Sequence, residues 1–177
     1  MRQRIIGFFL LRINGEDVED VIDYEQLTAE THVTLELETK SGKIVTAEVD
    51  KEEYEPLGIY FESGLMSKVR SCKNKCVFCF IDQMPKGGRD TLHFKDDDWR
   101  LSLIMGNYVS LTNVDDKEFD RMLRRRVSPL YVSIHATDGA VRTRMMANPS
   151  AARIMERLTA LKEYGLCFHG QIGRAHV

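Results

Sequence analysis

The chain has 177 residues, of which 43% are hydrophobic, and its 25 basic and 27 acidic side chains give a net charge of −2 at pH 7. This length predicts one or two domains, and the apolar content excludes wholesale disorder. The charge argues against a generally basic nucleic-acid-binding protein. No apolar run approaches the roughly 20 residues of a membrane-spanning helix, and we expect a cytoplasmic protein without a membrane partner.

Charge and cysteines both divide the chain near residue 65. Residues 1–70 carry 8 basic and 15 acidic side chains, whereas the rest of the chain is net basic and holds every cysteine. We therefore predict an N-terminal module over residues 1–64 and a second module over residues 65–171. Residues 172–177 back-translate to a sequence like a common sequencing adapter, which predicts an artefactual tail on part of a longer protein.

The N-terminal module has a period-two pattern that is typical of antiparallel strands. Residues 33–38 and 44–49 alternate between apolar and polar side chains around Ser41-Gly42, which predicts a hairpin with one buried face. Upstream, residues 9–13 predict a strand that ends in the turn Asn14-Gly15, and residues 20–27 predict a short helix.

This order of strand, Asn-Gly turn, short helix and hairpin resembles the second half of a PDZ domain, over residues 9–61. PDZ domains bind a peptide carboxylate through a Gly-rich loop that precedes this strand, and residues 1–8 contain no such loop. Peptide binding by strand addition is therefore not expected. A small β-rich packing module without a ligand of its own is the alternative interpretation.

Three cysteines, Cys72, Cys76 and Cys79, lie within eight residues in the spacing CxxxCxxC. In a cytosolic chain such clustering is more typical of metal binding than of disulfides. Three thiolates from one loop can each bind a different iron of a 4Fe–4S cluster, which leaves one iron open to a small molecule. The alternatives are a zinc site completed by His93 or Cys167 and another kind of iron–sulfur site.

With Phe78 at the aromatic position, residues 72–79 resemble the CxxxCxΦC signature of the radical S-adenosylmethionine (radical SAM) superfamily. The resemblance implies that Cys72, Cys76 and Cys79 hold a 4Fe–4S cluster whose open iron binds S-adenosylmethionine. Reduction would then cleave this cofactor to a 5′-deoxyadenosyl radical. A one-electron donor such as flavodoxin or ferredoxin and an unidentified substrate are implied as partners, and Phe78 would pack near the adenine.

A longer resemblance covers residues 9–171 and is closest at residues 79–90 and 95–102. These segments are similar to a bacterial family of radical SAM proteins, often described as Fe–S oxidoreductases. Members of that family join a PDZ-like N-terminus, a radical SAM core and a domain of unknown function, DUF512. The resemblance implies an enzyme, although we do not expect the present length of chain to be competent alone.

After the cysteines, the sequence predicts alternating strands and helices. The strands are expected over residues 108–113, 130–135 and 166–169, and the helices over residues 115–126 and 148–165. The buried face of the second helix is expected to comprise Ile154, Met155, Leu158 and Leu161. This order predicts a parallel sheet and the α/β class, namely a partial (β/α) radical SAM barrel preceded by the small β-rich PDZ-like module.

Functional side chains of such barrels lie at the carboxyl ends of the strands. We therefore expect cofactor contacts from Thr112, Asn113, Ser133 and His135 as well as Phe78, and we assign no catalytic residue. The resemblance implies that Ser133 contacts the ribose. It also implies a Gly-Gly-Glu that is absent here and whose place either Gly106-Asn107 or Thr112-Asn113 would take.

Three alternative interpretations remain open. For His135, the alternative to a functional contact is a hydrogen-bonded histidine of the sheet. The acidic residues 96–98 are expected to cap a helix and to be solvated rather than to bind metal. For the whole chain, the alternative function is a non-catalytic PDZ-like adaptor with a structural iron–sulfur or zinc site.

Overall fold

The computed structural model describes residues 3–5 and 7–173, and the chain divides into two compact units between Lys68 and Val69. Both α-helices and β-strands are present, which confirms a mixed α/β protein. Within the described residues, no helix is both long enough and apolar enough to cross a membrane. Of the tail predicted over residues 172–177, residues 174–177 lie outside the described part of the chain.

The first unit is an antiparallel sheet with one short helix among its described residues. Its elements are β1 (Gln3–Ile5), β2 (Phe8–Ile13), β3 (Glu16–Asp17), α1 (Val21–Leu27), β4 (His32–Thr39) and β5 (Ile44–Asp50). The strand order is β1-β2-β4-β5, and β3 pairs with the end of β2. The predicted hairpin, the strand over residues 9–13 and the short helix are therefore confirmed.

Local chemistry explains the turns and the cap of this unit. Asn14 and Gly15 have φ values of 51° and 79°, the left-handed geometry of a two-residue hairpin turn. Asp20 caps α1, because its side chain accepts a hydrogen bond from the Ile22 amide at 3.0 Å. The core formed by the sheet and α1 includes the buried side chains Leu10, Ile13, Val18, Tyr24, Leu27, Val33, Leu35 and Met66. The PDZ-like identity of this unit stays a prediction.

The second unit combines helices with a short parallel sheet. Its elements are α2 (Trp99–Met105), α3 (Asp116–Arg124), β6 (Leu130–Ser133), α4 (Gly139–Met146), α5 (Ile154–Glu163) and β7 (Phe168–Gln171). Strands β6 and β7 pair in parallel, and Val109 forms an isolated parallel bridge with Val132 on the other side of β6. The parallel order is confirmed, whereas the barrel stays a prediction.

The strand predicted over residues 108–113 is wrong in its extent, because its pairing is reduced to the Val109 bridge. Leu111 has a φ of 60°, which is incompatible with an extended strand. The side chains of Ser110 and Thr112 on either side of it bind a buried polar network rather than packing in a sheet. The segment therefore leaves the sheet after Val109.

The two predicted helices of this unit are confirmed with changes at their edges. Helix α3 is capped by Asp115, and its apolar residues Phe119, Met122 and Leu123 are buried. The segment from Asn148 begins as a 3₁₀ turn over Pro149–Arg153 before α5 starts. On α5, Met155 was expected to be buried and is 46% exposed, because its position falls outside the stripe of Ile154, Leu158 and Leu161 that faces the unit's interior.

Candidate functional site

The three clustered cysteines lie on an irregular loop, residues 72–79, that is held by main-chain hydrogen bonds from three of its amides. The Cys72 amide donates to the Lys95 carbonyl at 2.7 Å. The amides of Lys75 and Val77 each donate at 3.0 Å to the last residues of α4, Met146 and Met145. The loop therefore has a defined path although it contains no regular secondary structure.

Cys72, Cys76 and Cys79 are free thiols of intermediate burial, whereas Cys167 is exposed. Burial is the largest cause, and the nearby Cys72 and Cys79 the next, of the rise in the pKa of Cys76 to about 11. Burial also raises the pKa of Cys72. A bound cation would stabilise thiolates at this site, because it offsets their negative charge.

Three thiols on one loop are a donor set that suits an iron–sulfur cluster. Within residues 3–5 and 7–173, no three His, Cys, Asp or Glu side chains converge as one metal ion requires. A structural zinc ion needs four ligands at about 2.0–2.3 Å from one atom, so the zinc alternative with His93 or Cys167 gains no support. In a 4Fe–4S cluster each thiolate binds a different iron, so the sulfurs need not converge on one atom.

The raised pKa of Cys76 predicts slow alkylation of the metal-free protein. At pH 8 its thiolate fraction is about a hundredfold below that of an ordinary thiol, and its greater nucleophilicity offsets about tenfold of this. We therefore expect iodoacetamide to modify Cys76 about tenfold more slowly in the folded than in the urea-unfolded chain. Peptide mass spectrometry under anaerobic conditions measures both rates.

The difference between the two alkylation rates is expected to depend on pH. The folded-state pKa lies above the unfolded one, so the two rates should approach each other as the pH rises toward 11. Equal rates for folded and unfolded chain at pH 8 would contradict the proposed environment of Cys76.

Two of the predicted cofactor contacts, Thr112 and Asn113, bind the cysteine loop itself. The Thr112 hydroxyl donates to Asn74 Oδ1 at 2.9 Å, and Asn113 Nδ2 donates to the Ser71 carbonyl at 2.8 Å. Both residues, together with Lys73, also border a cavity of about 560 Å³. They therefore lie beside the candidate cluster site, with side chains that tie the loop to the segment after Val109.

Two other predicted contacts, Phe78 and His135, lie against each other with ring centroids 4.4 Å apart. His135 follows the end of β6 with a φ of 60°, and its Nδ1 lies 3.3 Å from the Gly173 carbonyl oxygen. Burial lowers the pKa of His135, and the charge of Arg142 lowers it further. The imidazole is therefore neutral near pH 7.

The fifth predicted contact, Ser133, lies at the end of β6 and is engaged with the neighbouring strand. Its hydroxyl donates to Gln171 Oε1 at 3.2 Å. Of the predicted contacts, the fold brings Phe78 and His135 together from distant parts of the chain. Thr112 and Asn113 are consecutive residues, and Ser133 makes a separate hydrogen bond to Gln171.

The sequence analysis missed the buried polar groups beneath the cysteine loop. Asp98 caps α2 as expected, but the expected solvation is wrong for Asp97 and Asp98, because both are buried. Asp97 accepts hydrogen bonds from the amide and the hydroxyl of Ser110. Asn74, between two cysteines, is buried as well. The position of Asn74 inside the motif was the one available signal, because its partners lie 36 to 74 residues away.

Comparison with known proteins identifies one match. A family model described as a Radical SAM-like domain matches residues 51–175, which is more than two-thirds of the chain and includes the cysteine loop. No curated protein and no solved structure matches significantly.

Proposed function

The chain belongs to the radical SAM family, and from that membership we propose that it is a radical SAM enzyme whose Cys72, Cys76 and Cys79 bind a 4Fe–4S cluster. The observation that carries the proposal is the set of three half-buried free thiols on one loop inside the matched region. Thiolates are soft ligands that suit iron–sulfur clusters.

When bound and reduced by one electron, the cluster would cleave S-adenosylmethionine to methionine and a 5′-deoxyadenosyl radical that takes a hydrogen atom from the substrate. The role of the chain is to hold and orient these groups. Phe78 offers an aromatic face next to Cys79 for the adenine, and the neutral His135 lies against that ring. A neutral imidazole there avoids placing a second positive charge beside the sulfonium.

We propose that the ends of two segments supply the remaining cofactor contacts. Ser133, at the carboxyl end of β6, would contact the ribose by releasing its hydroxyl from Gln171. Thr112 and Asn113 would act from the loop side, where they border the cavity of about 560 Å³. The family's Gly-Gly-Glu is absent, and either Gly106-Asn107 or Thr112-Asn113 would take its place.

We further propose the finer identity suggested by the sequence. The first unit would be the PDZ-like part of a DUF512-type protein, and the second unit the beginning of a radical SAM barrel. A donor such as flavodoxin or ferredoxin would supply the electron. Clustered free thiols are typical of a reducing compartment, which favours a cytoplasmic location.

The test is electron paramagnetic resonance of the anaerobically reconstituted, dithionite-reduced protein with and without S-adenosylmethionine. We expect the signal of a reduced 4Fe–4S cluster that changes when the cofactor is added. Adenosine at equal concentration is the control, because it lacks the amino and carboxylate groups that would bind the open iron, and should leave the spectrum unchanged.

Two other outcomes would favour the adaptor over the enzyme. A cluster signal that ignores S-adenosylmethionine would indicate a structural iron–sulfur site. Failure to form a cluster, together with tight binding of one zinc ion per chain, would indicate a structural zinc site.

A further inference from the structure

Asn74 lies between Cys72 and Cys76 and is 3% exposed, although the residues on either side of it are exposed. A buried side-chain amide is stable only when its donor and acceptor atoms have partners. Asn74 Nδ2 donates to the Ser110 hydroxyl at 2.9 Å. Its Oδ1 accepts from the Thr112 hydroxyl at 2.9 Å and from Asn148 Nδ2 at 2.7 Å.

The partners of Asn74 are themselves held in place. The Ser110 amide and hydroxyl both donate to the buried carboxylate of Asp97 at 2.5 Å. The Ser110 carbonyl accepts from Arg142 Nη2 at 2.9 Å. The main-chain carbonyl of Asn74 accepts from Lys95 Nζ at 3.0 Å. Side chains and main chain of several distant segments thus fix one residue of the cysteine loop.

These hydrogen bonds hold a loop that has no regular secondary structure of its own. Residues 72–79 contain no helix or strand. Their main chain is anchored by the hydrogen bonds that the amides of Cys72, Lys75 and Val77 donate to carbonyl oxygens of other segments. An ordered loop must therefore be stabilised by groups other than the cysteines themselves.

We propose that Asn74 is the positioning residue of the cysteine loop and holds Cys72, Cys76 and Cys79 in their ligand arrangement before any cluster binds. The consequence for the cluster rests on the proposed function, whereas the ordering of the metal-free loop does not. Ligand-supporting residues of this kind commonly change metal affinity by 10- to 100-fold when they are removed.

The variants separate the effect of losing the hydrogen bonds of the Asn74 side chain from the effect of changing any other residue of the loop. Asn74→Leu keeps the size of the side chain and removes its polar atoms. Thr112→Val removes one bond to Asn74 and Thr112→Ser restores the hydroxyl. Lys75→Ala is the matched control, because Lys75 is an exposed neighbour in the same loop.

The first measurement is hydrogen–deuterium exchange of the metal-free chain. In Asn74→Leu we expect the amides of residues 72–79, including Val77, to exchange at least about tenfold faster than in the wild type, with Thr112→Val in between. Thr112→Ser and Lys75→Ala should exchange as the wild type does. If the amides of residues 72–79 exchange at the wild-type rate in both Asn74→Leu and Thr112→Val, the proposal is overturned.

The second measurement is the rate at which the reconstituted protein loses its visible iron–sulfur absorbance to a chelator. We expect loss about tenfold faster in Asn74→Leu and an altered resonance spectrum, with rescue in Thr112→Ser relative to Thr112→Val. If both loop-disrupting variants keep wild-type retention and spectrum, Asn74 does not position the ligands.

The two measurements separate the two proposals. If the wild type itself forms no cluster, the proposed function fails, and the exchange experiment still decides whether Asn74 orders the loop. If Asn74→Leu lowers the urea midpoint of the whole chain, the milder Thr112→Val and Thr112→Ser pair decides the outcome.

Discussion

Replacing any one of Cys72, Cys76 and Cys79 with serine is expected to abolish binding of the iron–sulfur cluster. Serine keeps the size of the side chain, but its hydroxyl stays protonated and is a poor ligand for iron in such clusters. Iron content after anaerobic reconstitution should fall from about four per chain to well below one. Iron and sulfide analysis together with the visible spectrum measures the change.

The matched control is Cys167→Ser, since Cys167 is exposed and belongs to no part of the loop. This variant and His93→Ala should load as much iron as the wild type. Loss of metal in either of them would instead indicate a four-ligand site of the zinc type. Full loading of all three loop variants would contradict the assignment of the ligands.

The variant Arg142→Met is expected to lower the free energy of unfolding by about 3–5 kcal/mol. Arg142 is 1% exposed, and its guanidinium donates to the carbonyl oxygens of Ser110, Ser133, Ile134 and Ala151. Burial lowers its pKa to about 10, which leaves it charged at neutral pH. Methionine fills a similar volume but leaves these buried acceptors without their donor.

Urea unfolding of the metal-free chain measures this loss. The control is Arg144→Met on the same helix, whose exposed side chain should change stability by less than about 0.5 kcal/mol. Equal effects of the two substitutions would contradict the structural role of Arg142. Because Arg142 also binds the Ser110 carbonyl, its loss should loosen the cysteine loop through Asn74.

Features with a local physical cause were predictable from the sequence. The hairpin β4–β5 follows from the alternation of apolar and polar residues, and the turn at Asn14-Gly15 from the residues that tolerate positive φ. Helix α3 follows from its apolar spacing and its acidic cap at Asp115. The candidate ligands follow from the cysteine spacing and Phe78, which also point to the family that the comparison identifies.

Short or weakly patterned elements were less predictable. Helices α2 and α4 have seven and eight residues, too few for a clear amphipathic period. The sequence analysis anticipated α2 only through its acidic cap and did not predict α4. The strand expected after residue 107 fails at Leu111, where hydrogen bonds of the neighbouring side chains favour a left-handed backbone.

What the sequence alone determined is therefore the family, the candidate ligand cysteines and the elements with a strong local period. The tertiary structure decided which distant residues support them. The contact of Phe78 with His135, the bonds of Asn74 to Ser110 and Thr112, and the burial of Arg142 join segments that are far apart in the chain. Such contacts produce no periodic pattern in the sequence, because they depend on where the packed elements bring single side chains together.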